Sequence, residues 1–375
     1  MRFVVVYFVL LAVIVVRGIV PAVPGARARL WCFLVVLPGA LFPSVTRFLG
    51  GSMVAPDLPA SVMYAGSLLQ NFTLLLGMLI VARDVLSIPL RIFGVPFSRL
   101  GASPKIFALM AATAVLGSCV GFYRSIAAPE RIEQTVWVED LAAQLEGLRI
   151  VQISDLHVSA AFGRSRVEEI VEAVRQARPD IIAVTGDLVD GTPERFAKAL
   201  EPLKDLRAPA GVFAVEGNHE HYVDYEGWKR FFPSLGMTWL ENDHRVVRVR
   251  GASVAVLGLT DPMAQRYGRE RPDIEKASAG LPEKVDFRLL LSHQPKYAAQ
   301  YAGRADLMLS GHTHGGQVFV LDPVVSKLNG GFVRGLYRTG GLQLYVNQGT
   351  DVWNGFLLRL GTTGEITCIT LRRAR

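Results

Sequence analysis

Four long apolar segments lie within the first 128 residues, and they constrain the fold of this chain more than any other feature. A run of about 20 apolar residues is long enough to cross a hydrocarbon core of about 30 Å as a helix, at about 1.5 Å per residue. The sequence therefore predicts an N-terminal bundle of about four transmembrane helices within residues 1–128. The apolar segments run from about Phe3 to Val23, Leu30 to Phe48, Ser61 to Ala82 and Ile106 to Ala128.

The first apolar segment has a second explanation, namely a cleaved signal peptide. Only Arg2 supplies a basic region before it, and Pro21 and Pro24 stand where a signal peptidase requires small residues. We therefore favour an uncleaved membrane helix.

Polar residues are few inside the apolar segments. Gln70, Asn71 and Thr73 interrupt the third segment, and we expect them to face neighbouring helices rather than lipid. No acidic residue lies in the middle of a segment, so an ion or proton pathway is not expected. A transporter is accordingly the least favoured class.

The distribution of basic residues predicts the sidedness of the chain, because Lys and Arg are enriched in cytoplasmic loops. Seven basic residues follow the first or third segment, against about four on the opposite side. This places the N-terminus and the large C-terminal region on the extracytoplasmic face. The first group is Arg17, Arg27, Arg29, Arg83, Arg91, Arg99 and Lys105, and the second is Arg2, Arg47, Arg124 and Arg131.

The rest of the chain has an ordinary soluble composition. From Gly147 onward it holds 29 Lys and Arg against 26 Asp and Glu, so the net charge of +7 comes mainly from the apolar half. No basic stripe indicates nucleic-acid binding. The three cysteines are scattered, which argues against a disulfide framework and a thiolate metal site. Residues 129–147 are expected to form a linker, or a first edge strand over 133–138.

From Leu148 the sequence alternates short β-branched runs with amphipathic helical patterns. Arg149–Ser154 and Ile181–Thr185 predict buried strands, and Arg164–Ala177 predicts a helix between them. Such alternation is typical of a layered α/β domain, here over residues 148–375. In these domains ligands collect beyond the carboxyl ends of the strands.

Five short motifs follow apolar runs and carry potential metal ligands. All the donors are carboxylate, amide or imidazole groups, which suit divalent Mn, Fe, Zn or Mg. One histidine alone would be interpreted as structural, but five at strand ends predict a dinuclear metal site. The motifs are Asp155-Leu156-His157, Gly186-Asp187-Leu188-Val189-Asp190, Gly217-Asn218-His219-Glu220, Ser292-His293 and Gly311-His312-Thr313-His314-Gly315-Gly316.

This order of motifs resembles the calcineurin-like metallophosphoesterase superfamily, and the preceding apolar segments resemble its membrane-bound phosphoesterases with N-terminal transmembrane helices. The resemblance implies a four-layer α/β/β/α sandwich that binds two divalent metal ions. Carried over by position, it implies that Asp187 bridges both ions and that His219 protonates the leaving oxygen. The implied ligands of the first ion are Asp155, His157 and His314, and those of the second are Asn218, His293 and His312.

The neighbouring residues are open to more than one interpretation. Glu220 stands where the motif more commonly has Asp, and it either orients His219 or is solvated. Asp190 is expected to support the loop that carries Asp187. His221 and His244 are expected to be structural, with His221 at the surface or, alternatively, lining the substrate pocket.

These features predict a membrane-anchored enzyme that hydrolyses a phosphodiester or diphosphate bond by attack of a metal-bridging hydroxide. Its substrate is expected to be lipid-linked or close to the membrane. The alternatives are a tethered phosphodiesterase or nucleotidase for soluble substrates, and a non-catalytic metal-binding membrane scaffold. Five aromatic residues either line a hydrophobic approach to the site or pack in the core, namely Phe162, Trp228, Phe231, Phe232 and Trp239.

Overall fold

The computed structural model of the protein describes residues 2–94 and 100–374. Arg99, which enters the sidedness prediction, lies outside the described residues. The chain forms two compact units. The helical unit extends to Ile126 and includes Gly355–Leu360, and the sheet unit contains Ala127–Asn354 and the residues from Gly361 onward.

The helical unit contains four helices that are long and apolar enough to cross a membrane, as the sequence predicts. The first is continuous, because a π-helical segment, Ile14–Ile19, joins α1 to α2. These candidate spans run over Phe3–Ala22, Ala26–Phe48, Ala60–Pro89 and Pro104–Ile126. The helices are α1 (Arg2–Val13), α2 (Val20–Ala22), α3 (Ala26–Phe48), α4 (Ala60–Ile92) and α5 (Pro104–Ile126).

Helix α4 extends well past the predicted end of its apolar segment at Ala82. Arg83 and Arg91 therefore lie in this helix rather than in a loop. The other described basic residues of the same group also lie in helices, namely Arg17, Arg27, Arg29 and Lys105. Asp84 accepts hydrogen bonds from Arg17 Nε at 2.7 Å and from Arg83 Nη2 at 2.7 Å. The pairing of opposite charges allows the helix to continue past its apolar part. Arg17 lies five residues before Ala22 and Arg83 lies nine residues before Ile92, and both are within the distance from a span end at which basic residues influence sidedness.

The polar residues of α4 are buried inside the helical unit. Thr73 Oγ1 donates a hydrogen bond to Val36 O of α3 at 3.2 Å, as expected of a residue facing a neighbouring helix. Asn71 Nδ2 donates instead to Leu357 O at 2.8 Å, in the segment Gly355–Leu360. A distant part of the chain therefore contributes to this unit.

The sheet unit is built from two six-stranded mixed sheets. The first has the order β1-β12-β2-β3-β4-β5, and the second has the order β10-β11-β9-β8-β7-β6. The strands are β1 (Glu130–Val138), β2 (Arg149–Ile153), β3 (Ile181–Thr185), β4 (Val212–Val215), β5 (Thr238–Trp239), β6 (Asp243–Val249), β7 (Ala252–Gly258), β8 (Phe287–Leu291), β9 (Leu307–Ser310), β10 (Gly335–Thr339), β11 (Leu342–Val346) and β12 (Glu365–Arg373).

Three hydrophobic cores define the layers of this unit. The central core lies between the sheets and takes Ile150 from β2 and Val254 from β7. Because side chains alternate along a strand, Val151 faces a second core, which is filled by the helices of the first sheet. Ala255 likewise faces a third core on the outer side of the second sheet. The order of layers is therefore α/β/β/α, as expected.

Five outer helices lie in the sheet unit, and the first of them follows its predicted pattern closely. They are α6 (Arg164–Gln176), α7 (Pro193–Leu200) and α8 (Tyr225–Ser234) against the first sheet, and α9 (Ile274–Ser278) against the second, with α10 (Asp322–Leu328) later in the chain. Helix α6 buries Val167, Ile170, Val171 and Val174, the face that its periodicity predicts. Trp228 and Phe232 are buried in the same core, and Phe231 and Trp239 are partly buried against it. Phe162 is also buried. These aromatic residues therefore pack in the interior rather than lining an approach to the site.

Strand β1 lies within residues 129–147, for which the sequence predicts either a linker or an edge strand. It pairs in parallel with β12 along its whole length, from Glu130 opposite Glu365 to Val138 opposite Arg373. Only three residues separate β1 from the end of helix α5 at Ile126.

Candidate metal centre

The potential ligands lie on loops at the carboxyl ends of strands from both sheets. Asp155 follows β2 and Asp187 follows β3, whereas His293 follows β8. Asn218 and His219 come after β4, and His312 and His314 come after β9. Because β2, β3 and β4 are parallel, as are β8 and β9, their carboxyl ends point in the same direction within each sheet. The structure brings these residues together in overlapping groups that could hold metal ions.

The first group consists of Asp155, His157 and His314. The Nε2 atoms of the two histidines face each other at 3.2 Å, and His314 Nε2 lies 3.4 Å from Asp155 Oδ1. All three residues are buried. This group matches the ligand set that the sequence implies for the first ion.

The second group consists of Asp187, His293 and His312. His293 Nε2 lies 3.1 Å from Asp187 Oδ2 and 3.3 Å from His312 Nδ1. Asp187 Oδ2 is also 3.8 Å from His157 Nε2 in the first group. One carboxylate oxygen thus faces both groups, as a bridging ligand must.

Asn218 has an oxygen available for coordination. Its side-chain Oδ1 is buried and has no hydrogen-bond partner among the described residues. The other atom of the amide, Nδ2, donates a hydrogen bond to Tyr222 Oη at 3.2 Å, which fixes the orientation of the group. A buried acceptor without a partner is costly unless an ion or another donor satisfies it.

The histidine tautomers favour metal binding. His157 Nδ1 lies 2.9 Å from Asp190 Oδ1, and His293 Nδ1 lies 2.7 Å from Thr185 O. Both partners can only accept, so the proton lies on Nδ1 and the lone pair of each Nε2 points into the site. Converging lone pairs repel one another unless a cation lies between them, so the residues present fit the binding of divalent metal.

The charges around the histidines also favour metal binding. Burial opposes protonation of His157, but the carboxylates of Asp190, Asp187 and Asp155 raise its pKa to about 9. Burial likewise opposes the charged form of Asp187, but His293 and His219 hold its pKa well below the usual value. The carboxylates therefore stabilise positive charge beside His157. Either a second proton on Nε2 or a divalent ion bound to the Nε2 lone pair would provide that charge.

The ligand loops adopt strained backbone conformations. Five of the seven candidate ligands have a positive φ, a region that residues other than glycine rarely adopt. Such residues each cost about 1–3 kcal/mol, and they cluster at functional sites. The five are Asp155 (54°), His157 (43°), Asp187 (54°), His312 (72°) and His314 (48°).

Two glycines allow these loops to approach one another. A Cβ at Gly311 would lie 2.0 Å from Ser154 Oγ and 2.2 Å from Asp155 Oδ2. A Cβ at Gly217 would lie 2.2 Å from Asp187 Oδ1. The function of these two glycines is therefore close packing of the ligand loops.

Asp190 contacts two histidines of the site, in addition to any support that it gives to its loop. Its Oδ1 accepts hydrogen bonds from Nδ1 of His157 at 2.9 Å and from Nδ1 of His219 at 2.7 Å. One buried carboxylate therefore orients a candidate metal ligand and the candidate proton donor together.

Both interpretations of Glu220 are wrong. The residue is fully buried, and its carboxylate accepts hydrogen bonds from the backbone N–H groups of Asp187 at 3.0 Å, Leu188 at 2.7 Å and Gly217 at 2.6 Å. It therefore joins the loops after β3 and β4. Sequence reasoning could not find this, because two of the three partners are backbone atoms of a distant segment.

His219 lies at the edge of the site. Its side chain is about one-tenth exposed, and its Nε2 is 3.9 Å from Asp187 Oδ2. His157, Asp187 and His219 also form a group that could hold an ion, so geometry alone permits either coordination or proton donation.

The other two histidines have structural contacts. His221 is buried, stacks on Tyr225 and lies 2.9 Å from Glu216 Oε1, so its expected surface position is wrong. His244 Nδ1 lies 2.9 Å from Ala277 O, as a structural histidine would.

Two aromatic side chains beside His219 were not predicted. The ring of Tyr222 lies 5.0 Å from the imidazole, and that of Trp353 lies 6.2 Å away. Tyr222 could have been suspected from its closeness to His219 in the sequence. Trp353 has no such signal.

Comparison with known proteins identifies the class of protein that this fold and site define. The model of the calcineurin-like phosphoesterase family matches residues 148–316. The chain is 30% identical over 251 residues to the uncharacterized metallophosphoesterase YkuE of Bacillus subtilis, covering 65% of this chain and 85% of that protein. The chain therefore belongs to the calcineurin-like metallophosphoesterase family.

Two further relatives match a larger share of this chain, and the first of them is named as a transmembrane protein. A transmembrane protein with metallophosphoesterase domain from Danio rerio is 36% identical over 272 residues, which is 70% of this chain and 61% of that protein. An uncharacterized metallophosphoesterase of Helicobacter pylori strain 26695 is 35% identical over 254 residues, which is 67% of this chain and 66% of that protein. The match thus spans less than two thirds of either relative. Together with the four apolar helices, the first name supports a membrane protein.

Proposed function

We propose that this protein is a membrane-anchored phosphoesterase that binds two divalent ions and hydrolyses a phosphodiester or diphosphate bond. The position of Asp187 Oδ2, 3.1 Å from His293 Nε2 and 3.8 Å from His157 Nε2, is the observation that carries this proposal. An oxygen between two sets of imidazole lone pairs is the arrangement that a bridged pair of ions needs.

The proposed ligands are Asp155, His157 and His314 for the first ion and Asn218, His293 and His312 for the second, with Asp187 shared. Two bound ions of this kind would lower the pKa of bound water toward about 7, so that hydroxide is available as the nucleophile near neutral pH, and would neutralise the phosphate charge. Manganese, iron, zinc and magnesium all accept this donor set.

His219 is the proposed proton donor to the leaving oxygen. Its Nδ1 is held by Asp190 at 2.7 Å, which leaves Nε2 to face the site. A positioned imidazole with a carboxylate behind it is suited to general acid catalysis.

The proposed substrate is lipid-linked or membrane-proximal. Four helices long and apolar enough to cross a membrane precede the sheet unit, and three residues join the last of them to β1. Three residues reach about 10 Å at most, which favours chemistry close to the bilayer. The excess of basic residues near two sets of helix ends favours an extracytoplasmic sheet unit.

A turnover screen with the purified full chain tests this function. Bis-p-nitrophenyl phosphate, a nucleotide and a lipid diphosphate would be compared with Mn²⁺ and with a chelator. We expect Mn²⁺-dependent hydrolysis that Asp187→Ala abolishes, together with a fall in bound metal to one ion or none.

The same screen separates the alternatives. Turnover of the nucleotide or diester without the lipid substrate would favour a tethered enzyme for soluble substrates. Metal binding without turnover of any substrate would favour a scaffold. Full activity of Asp187→Ala with two bound ions would contradict the site.

A further inference from the structure

Exposed apolar side chains are concentrated along one short stretch of the sheet unit. Among the described residues from 127 onward, eight large hydrophobic side chains are exposed, and five of them lie between 319 and 336. Scattered exposed hydrophobic residues are normal, whereas a group of them marks an interaction surface. We define this apolar patch as Phe319, Val320, Val324, Leu328 and Leu336, which are 37–67% exposed.

The local structure places most of the apolar patch on one side of a helical segment. A 3₁₀ turn, Phe319–Leu321, leads directly into helix α10, Asp322–Leu328. Val320, Val324 and Leu328 are four residues apart, and residues at that spacing share a helix face. No residue of α10 is fully buried, so this helix contributes little to the core.

The charges around the apolar patch are positive. Between residues 317 and 338 the only acidic residue is Asp322, and the salt bridge from Arg334 Nη2, at 2.7 Å, neutralises it. Lys327 and Arg338 are exposed in the same stretch. An apolar surface with basic neighbours is complementary to a bilayer with anionic headgroups.

We propose that the apolar patch docks on the membrane surface, with Phe319, Val324 and Leu328 entering the interfacial region of the bilayer. The covalent path of the chain favours lipid over other partners. A Cβ at Gly361 would lie 3.0 Å from Phe319 Cβ, so Gly361 is adjacent to the patch. Gly361 follows directly on Gly355–Leu360, which belongs to the helical unit.

Docking would bring the candidate metal centre to the bilayer surface. The apolar patch starts three residues after Gly316, at the end of the loop that carries His314. Arg334 joins the two, because its Nη1 donates to Gly315 O at 2.7 Å and its Nη2 to Asp322 Oδ2 at 2.7 Å. A phosphate in the headgroup region could then reach the centre while its acyl chains stay in the bilayer. This consequence rests on the proposed function, whereas the docking does not.

Photo-crosslinking tests the docking without reference to activity. The full chain would carry p-benzoylphenylalanine at position 319 or 324 and be reconstituted into vesicles of phosphatidylcholine and phosphatidylglycerol. We expect phospholipid adducts at both positions after irradiation. The matched control is position 246, where Val246 is 39% exposed on strand β6, and it should give none.

Three outcomes of the crosslinking would overturn the proposal. They are adducts with peptides of the helical unit, adducts with a second copy of the chain, and lipid adducts no more frequent than at position 246. Since none of these measurements needs a substrate, they remain valid if the proposed phosphoesterase activity fails.

Activity measurements test the consequence for substrate access. The variant Val324→Glu with Leu328→Glu should lose at least about tenfold in turnover of a lipid diphosphate in vesicles. The reason is that burial of one such apolar side chain in the bilayer favours docking by more than about tenfold in the binding equilibrium. Hydrolysis of bis-p-nitrophenyl phosphate in the same vesicles should stay within about twofold. Val324→Ser is the milder companion variant and should give an intermediate loss.

Equal losses on the two substrates would show that the patch supports the metal site and not docking. If the wild-type protein hydrolyses the soluble diester but no lipid substrate, the lipid substrate is wrong, and the crosslinking alone decides whether the patch meets the membrane.

Discussion

Replacing Asp190 by Asn should weaken the binding of one metal ion and slow the chemical step. The binding of the other ion should not change. Asp190 Oδ1 accepts from His157 Nδ1 at 2.9 Å and from His219 Nδ1 at 2.7 Å. An Asn side chain has nearly the same shape, and its oxygen can accept both bonds. Its amide nitrogen would replace Asp190 Oδ2, which accepts from Asn354 N at 3.5 Å, so this long hydrogen bond is lost although the shape is kept.

The magnitude follows from the loss of charge in two hydrogen bonds. A hydrogen bond to a charged group contributes about 1.5–3 kcal/mol, against about 0.5–1.5 kcal/mol for a neutral pair. Each bond therefore loses about 1–1.5 kcal/mol, and about 1.4 kcal/mol corresponds to a factor of ten. We expect about tenfold weaker binding of the ion at His157 and about tenfold lower kcat from the less well-held His219.

The second ion provides an internal control. His293 Nδ1 donates to the backbone oxygen of Thr185 at 2.7 Å and has no contact with Asp190, so its ion should bind as in the wild type. Titration with Mn²⁺ should then show one weakened and one unchanged site. Asp306→Asn is the matched variant, because Asp306 accepts from Arg288 N at the other end of β9 and should change neither site.

The result would refute the reasoning if both ions weakened equally or if neither did. An unchanged kcat at saturating Mn²⁺ would show that Asp190 does not hold His219 for proton donation.

Three further predictions address the proton donor, the packing of the ligand loops and the sidedness. His219→Ala should keep both ions yet lose about 10²–10⁴ in rate, with a smaller loss for p-nitrophenyl substrates because their leaving group needs no proton; loss of an ion, measured by elemental analysis, would instead make His219 a ligand. Gly311→Ala should lower bound metal and the melting temperature, because the new Cβ would come within 2.2 Å of Asp155 Oδ2, and Gly163→Ala, whose Cβ would meet nothing within 4 Å at a φ of −95°, is the control for a glycine replacement. A phosphatase reporter fused at the C-terminus should be active and one inserted after Gly94 silent; the reverse pattern would place the sheet unit in the cytoplasm.

Much of the architecture could be predicted because it depends on local periodicity. The run Ile181–Thr185 forms a strand over those residues, and the apolar face of Arg164–Gln176 is buried as its spacing predicts. The four apolar helices follow from length and composition alone. The groups around Asp187 follow from a general rule, since side chains after parallel strands meet at one edge of a sheet.

Other features depend on contacts between distant parts of the chain. Glu220 could not be placed, because its partners are the N–H groups of Asp187 and Leu188 on another loop. The end of α4 was predicted too early, because hydropathy does not register the pairing of Arg17 with Asp84.

The sequence by itself determined which residue types follow which strands, and hence the chemistry that this chain can carry out. The tertiary structure alone decided how those residues are held: Asp190 between two histidines, and Gly311 against Asp155. The exposed apolar patch also depends on the tertiary structure. The sequence around Phe319 contains no long apolar run, and only folding leaves the apolar side chains of this stretch exposed. The physical reason is that strand and helix periodicity is set by neighbours in the chain, whereas hydrogen-bond partners and exposure are set by residues that folding brings close.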